Sequence, residues 1–209
     1  MGAKDWMLIY AVGEVRPVLQ ATPALDRDAT DALVGRLYPD RPITKLADGT
    51  LWTDCDPLEG HVYAGCFPGL TVVCTADVAL ERPSELHRRF RDEAGGRTLY
   101  LHAMHSVVDW FAYGMWAPDG ALRRSLSLYP DSGIIENIGE PLPFEGPYWA
   151  GQRAVEDDDD GPYALPFHPL EMSEDALRAL FGFNFEGEYV DDDPDLEQIV
   201  LAGFDVGRS

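Results

Sequence analysis

The stretch LHAMHSVVDWFAYGMW, residues 101–116, places His102, His105 and Asp109 at offsets of three and seven. On a helix those offsets would stack all three side chains on one face. Imidazole nitrogens with a carboxylate are common zinc donors, and the same groups serve as general base and orienter in hydrolases. Ser106, next to His105, and Cys66 are the nucleophile candidates, because a hydroxyl or thiol becomes reactive once a base takes its proton. The flanking sequence argues against a helix here. Aromatic and β-branched residues favour extended backbone, which sends His102 and His105 to opposite faces unless the chain kinks at Ser106. On that reading the histidines and Asp109 are structural hydrogen-bonding groups. No GxSxG elbow surrounds Ser106, and neither Cys66, in AGCFPG, nor Cys74 opens a helix that would activate a thiol. Walker and GxGxxG loops are absent from the sequence. The acidic runs EDDDD (156–160) and DDDPDLE (191–197) lack EF-hand spacing and read as solvated loops. The sequence therefore predicts no metal and no cofactor.

The elements that must position these residues are legible in part. WMLIYAV (6–12) reads as a buried strand, and VRPVLQ (15–20) as an edge strand demoted by Pro17. Leu25, Ala29, Leu33 and Leu37 recur every four residues behind an acidic start, which predicts a helix over 26–39. Residues 40–60 read as loop. HVYAGCFPGLTVVCTADVAL (61–80) carries one or two strands broken at Pro68-Gly69, and PSELHRRFRDEAGG (83–96) a second helix capped by Ser84, with Leu86, Phe90 and Ala94 as its stripe. A strand follows at 97–105. WFAYGMW (110–116) and ALRRSLSL (121–128) form a hairpin around Ala-Pro-Asp-Gly, with Gly120 in the left-handed bulge position. SEDALRALF (173–181) is a short helix capped by Ser173, and IVLAGFDV a last strand. The class is α+β: a mostly antiparallel sheet, two or three helices, and an irregular Pro/Asp-rich C-terminal segment. One domain is expected, with an α+β core over 1–130 and an acidic extension over 131–209 packed on it.

The hairpin register decides what each face holds. With Gly120 bulged, Trp116 should meet Leu122, Gly114 Arg124, Ala112 Leu126 and Trp110 Leu128. That face is mostly apolar. The other would gather Asp109, Tyr113, Arg123, Ser125 and Ser127 beside Tyr100 and His102 of the preceding strand. An aromatic surface with a few polar groups is a plausible wall for a small ligand. The alternative is that the Pro-aromatic segments over 141–170 simply cover it.

Charge is the strongest global signal. Thirty-seven acids oppose sixteen bases, for a net −21. Residues 131–209 hold 20 acids and 3 bases, a net −17, whereas residues 1–130 stand at −4. Such a surface repels phosphate backbones and anionic lipid, so neither nucleic acid nor membrane is an expected partner. A basic protein or a cation fits it, and solubility alone is the simpler use of the charge. No apolar run reaches the length of a membrane span. The N-terminal MGAKDWMLIYAVG lacks a cleavage site, and Trp6 stands where myristoylation wants Ser or Thr. Three cysteines without CxxC read as reduced thiols, which predicts a cytoplasmic protein.

Several segments carry a likeness. MGAKDWMLIYA, LHAMHSVVDW, RSLSLYPDSGIIENIGEP, PYWAG, LPFHPLE and EDALRALFGF resemble a family from high-GC bacteria described only as a domain of unknown function. Fourteen arginines against two lysines suit a GC-rich source. The resemblance covers nearly the whole chain and implies a one-unit cytosolic bacterial protein. It implies no activity, ligand or catalytic residue. Three readings stand side by side: a non-enzymatic binding or interaction protein; a small hydrolase or metal-assisted enzyme using His102, His105 and Asp109; and a sensor that binds a small ligand on the mixed sheet face. The sequence specifies no oligomeric state.

Overall fold

The computed structural model describes residues 3–155 and 164–207. The acidic run at 156–160 lies outside the described residues. In chain order the elements are β1 (Lys4–Ala11), α1 (Arg16–Gln20), α2 (Arg27–Leu37), β2 (Thr44–Lys45), β3 (Gly49–Thr50), β4 (His61–Phe67), β5 (Leu70–Thr75), α3 (Arg88–Asp92), β6 (Thr98–His105), β7 (Trp110–Trp116), β8 (Leu122–Tyr129), β9 (Gly133–Gly139), α4 (Gly146–Trp149), α5 (Pro169–Phe181) and β10 (Val200–Asp205). They build one antiparallel sheet in the order β2-β10-β4-β5-β1-β6-β7-β8-β9, with β3 also paired to β10. The α+β class and the mostly antiparallel sheet follow the sequence reading. Beyond residue 130 the expected helix and last strand are α5 and β10, and β9 and α4, which the sequence reading left as irregular chain, add to them.

Helices and turns cover both sheet faces, which is why β1 is apolar on both. Trp6, Leu8 and Tyr10 join a core with Leu33, Val34 and Leu37 of α2 and Phe90 of α3. Met7, Ile9 and Ala11 point the other way, toward Leu19 of α1 and Leu177 and Phe181 of α5. Alternation along a strand sorts the neighbours likewise: Leu99, Leu101 and Ala103 lie on the first face, Tyr100 and Met104 on the second.

Two local expectations are corrected. VRPVLQ is the helix α1 rather than an edge strand, because Pro17 falls in the first helical turn, where its missing N–H is no loss. The single helix expected over 83–96 is a 3-10 turn at Pro83–Glu85 followed by the five-residue α3. Ser84 does not cap it. Its N–H and hydroxyl both donate to the carboxylate of Glu136 on β9, and the cap is His87, whose Nδ1 accepts from Arg89 N. The predicted stripe Leu86, Phe90 and Ala94 is buried nonetheless.

The most consequential correction is in the β7–β8 hairpin. Gly120 is left-handed, with φ +81, and Trp116 pairs with Leu122, as the turn chemistry predicts. A β-bulge then inserts one residue, Arg123, so that Met115 pairs with Arg124, Gly114 with Ser125 and Ala112 with Ser127. From that point β8 is turned over relative to the expected register. One extra residue exchanges every following side chain between faces. Ser125 and Ser127 therefore join the first face, while Arg124, Leu126 and Leu128 join Tyr113 and Phe111 on the second.

Candidate functional site

The residues singled out in the sequence separate in space. His102 lies on the second face, fully buried. His105 is on the first face at the strand end, its ring edge-on to Trp6 at 5.8 Å, and burial lowers its pKa, with Lys4 adding to the effect. Ser106 is in the turn after β6, where its N–H donates to Ala3 O. Asp109 adopts a left-handed φ of +49 in that turn, and its carboxylate lies 3.8 Å from His168 Nε2. Cys66 packs against the first-face core, away from His102. Among the described residues no group of three or more His, Cys, Asp or Glu side chains is gathered as metal ligands would be. The three cysteines are free, and burial raises the pKa of Cys55 and Cys74.

The expected ligand wall does not form either. Arg123 points to solvent and pairs with Asp119 at 2.9 Å. Ser125 donates to Glu136, and Ser127 Oγ accepts from Trp110 Nε1 at 3.1 Å, both on the face opposite His102. Tyr100 lies edge-on to Phe181 at 5.5 Å, and burial raises its pKa. The segments covering the second face, around α4 and residues 165–167, seal Tyr113 beneath them.

Two polar clusters that the sequence did not reveal occupy this sealed layer. In the first, His102 Nδ1 donates to Asp5 Oδ1 and Oδ2 at 2.9 and 3.0 Å, and His102 Nε2 lies 3.3 Å from both the hydroxyl and the carbonyl oxygen of Ser173. Carboxylate, imidazole and hydroxyl thus stand in the order of an acyl-transfer triad. All three are fully buried. Ser173 sits inside α5 rather than on an exposed elbow, and its hydroxyl donates to Met104 Sδ at 3.1 Å. The cluster braces β1, β6 and α5 together. The signal that could have revealed it was Asp5, the one carboxylate on a face otherwise made of Met7, Ile9 and Ala11. Ser173 was read as a cap, but the cap of α5 is His168, with Pro169 in the first turn.

The second cluster centres on Glu145. Arg124 grips it in a two-pronged ion pair, Nε to Oε1 at 2.9 Å and a terminal nitrogen to Oε2 at 2.6 Å, both side chains fully buried. Tyr113, Trp149 Nε1 and Leu142 N donate to the same carboxylate. Burial alone would raise the Glu145 pKa, but these hydrogen bonds outweigh it and hold the carboxyl below its ordinary value. Burial, then Glu145, pushes the Tyr113 phenol up. Arg124 spends its remaining nitrogen on Asn137 Oδ1, Ile138 O and Gly139 O. A buried ion pair satisfied this completely is a structural joint between β8, β9 and α4.

The open part of the molecule is elsewhere, around the segment after α5. That helix ends at Gly182, φ +86, whose N–H reaches Leu177 O and Arg178 O. Glu174 and Arg178, one turn apart on α5, then clamp the chain that follows. Glu174 accepts from Phe185 N at 2.8 Å, and Arg178 donates to Asn184 Oδ1 and Glu188 O at 2.8 Å each and pairs with Asp193. Beside this clamp runs a groove of about 740 Å³, walled by Glu171, Glu174, Asp175, Glu186 and Glu188. Burial raises the Glu174 pKa despite its backbone hydrogen bonds. Arg153, Arg178 and His168 also border the groove; Arg153 pairs with Asp175, one of the five wall carboxylates, Arg178 with Asp193, and His168 lies 3.8 Å from Asp109. Two smaller hollows, of about 330 and 480 Å³, adjoin it and share Trp52.

Fold and site together define an α+β protein with a doubly covered antiparallel sheet, sealed polar joints and an open acidic tract. Among the described residues no helix is long and apolar enough to cross a membrane. The chain belongs to the family described as a family of unknown function (DUF6928), whose profile matches residues 5–204, nearly the whole chain as the resemblance implied. No curated protein and no solved structure matches it.

Proposed function

We propose that this is a cytoplasmic binding protein that engages a basic protein partner on the acidic surface built around α5 and residues 183–197. One observation carries the reading: the groove of about 740 Å³ is walled by five carboxylates, of which only Asp175 is paired with a groove arginine, Arg153, while Arg178 is paired with Asp193. An excess of negative charge in a concave site steers a cationic partner and speeds encounter, with an attraction that salt screens. The sequence of this region reinforces the reading, with ten acids against one arginine over α5 and residues 183–197. The test is titration of the protein with a short lysine–alanine peptide and a glutamine–alanine control by isothermal calorimetry. Binding of the cationic peptide at about 0.05 M salt that weakens at least about tenfold by about 0.5 M is the expected outcome. Equal, salt-insensitive behaviour of both peptides contradicts it.

A second reading, a hydrolase, is favoured by the Asp5–His102–Ser173 geometry alone. It requires α5 to lift from the sheet so that Ser173 meets a substrate. A fluorophosphonate probe that labels Ser173 in the folded protein, with loss of labelling in His102→Ala, would establish it. The burial of all three residues predicts no labelling.

A further inference from the structure

The hollow of about 330 Å³ next to the acidic groove has a composition of its own. Phe183 and Leu196, both buried, form its floor, while Trp52 and Tyr189, 44% and 69% exposed, stand at its sides. Asp195 and Glu197 lie on its rim. Among the described residues no Lys, Arg or His lines it, and its remaining carboxylate, Asp193, is paired with Arg178.

The exposure of Trp52 is built in by its neighbours. Leu51 is wholly buried and its N–H donates to Ile199 O, while Trp52 follows it in the turn closed by Asp54 N to Thr50 O and stays exposed. The Asp54 carboxylate accepts from Thr50 N at 2.9 Å and fixes the turn that presents the indole. Phe185, 5.9 Å from the Trp52 ring and 5.5 Å from Phe183, backs the wall. Aromatic faces carry negative potential and attract a cation placed within about 6 Å of the ring, most strongly for tryptophan. Carboxylates at the mouth add to that field. The other hollow bordering Trp52 is lined by Lys4, which disfavours a second cation there.

We infer that the Trp52–Phe183–Tyr189 hollow seats a lysine or arginine side chain of the basic partner. This inference rests on the reading of the acidic surface as the partner-binding face, and names the residue that anchors the contact. The source is a peptide segment rather than a free polyamine, because the hollow is one part of a longer tract. It shares Asn184 with the acidic groove and Trp52 with the hollow beyond, and Glu186 borders both of those neighbours. An extended chain can follow that tract with one cationic side chain in the aromatic seat and others against Glu171, Glu174 and Glu188.

The test is fluorescence anisotropy with labelled lysine–alanine and arginine–alanine peptides on the full chain. Trp52→Ala and Tyr189→Ala are expected to weaken binding by about five- to tenfold each, and Glu197→Gln by about two- to threefold. Trp52→Phe should retain most of the affinity. Thermal melting of each variant checks the fold. Tyr189 is exposed enough that its truncation decides the matter even if Trp52→Ala is unstable. Wild-type affinity in both aromatic truncations overturns the seat while leaving the acidic-surface reading intact. Failure of the wild-type protein to bind either peptide at low salt removes both. Spermidine binding without peptide binding also overturns the inference, since it moves the ligand from a partner protein to a free amine.

Discussion

The Asp5–His102–Ser173 cluster and the Trp52–Tyr189 tract divide what an active surface needs between them. The first has groups in catalytic order, with an imidazole held by a carboxylate and facing a hydroxyl, yet no solvent reaches any of them. The second is open and charged but offers aromatic rings and carboxylates without a nucleophile or an imidazole in the hollow. A polar group sealed away from water must be paired or it costs free energy, so full pairing is what a structural role demands. Residue types and distances are therefore insufficient to assign chemistry. Access separates a joint from a site, and in this protein it favours the tract.

If that contrast is right, changes in the sealed layer should cost stability and changes in the tract should cost binding. The largest loss is expected from Arg124→Ala, which leaves the Glu145 carboxylate buried without its cation. Denaturant melts should show a loss of about 3–5 kcal/mol. A loss below about 1 kcal/mol would mean that the joint carries no weight. His102→Ala removes the central member of the other cluster and should cost about 2–3 kcal/mol, with peptide binding unchanged in the folded fraction.

Acid should act through Glu145. Its carboxyl is held below the ordinary value of 4.5, so the unfolded chain takes up this proton more readily than the folded one. The stability it contributes is complete well above about pH 4.5 and is lost as the pH falls through the lower value of the folded state. Melts across that range should show the decline, and Glu145→Gln should flatten it. At the small end, Arg123→Ala removes only an exposed pair with Asp119 and should change stability by less than about 0.5 kcal/mol. The neighbouring arginines thus differ by several kcal/mol, a direct check on which of them the bulge turns inward.

That bulge also marks how far the sequence could be read. The Pro-Asp-Gly turn, the left-handed Gly120, the Trp116–Leu122 pair and the α2 stripe of Leu33 and Leu37 all arise from local chemistry, and all are legible. The inserted residue at Arg123 is not local. Leu122, Leu126 and Leu128 share a parity in the sequence, yet Leu122 packs on the first face and the other two on the second. The shift lets Arg124 reach Glu145, a carboxylate 21 residues away whose need for a partner no strand pattern announces. Strand β9 was hidden for a related reason: GIIENIG lies between prolines 130 and 141, and its pairing with β8 is a tertiary choice. The chemistry-bearing residues were partly visible. His102 was found, but Asp5 and Ser173 are 97 and 71 residues from it, and Trp52 lay in a stretch with no periodicity at all.

The most direct test is to titrate the ¹⁵N-labelled protein with the lysine–alanine peptide at low salt and follow amide and indole shifts. A tract that binds the partner predicts changes confined to the Trp52 indole, residues 184–197 and the exposed side of α5, with the amides of His102 and Asp5 unmoved. Shifts centred on β6 and the buried face of α5, or no saturable shifts anywhere, would contradict the account.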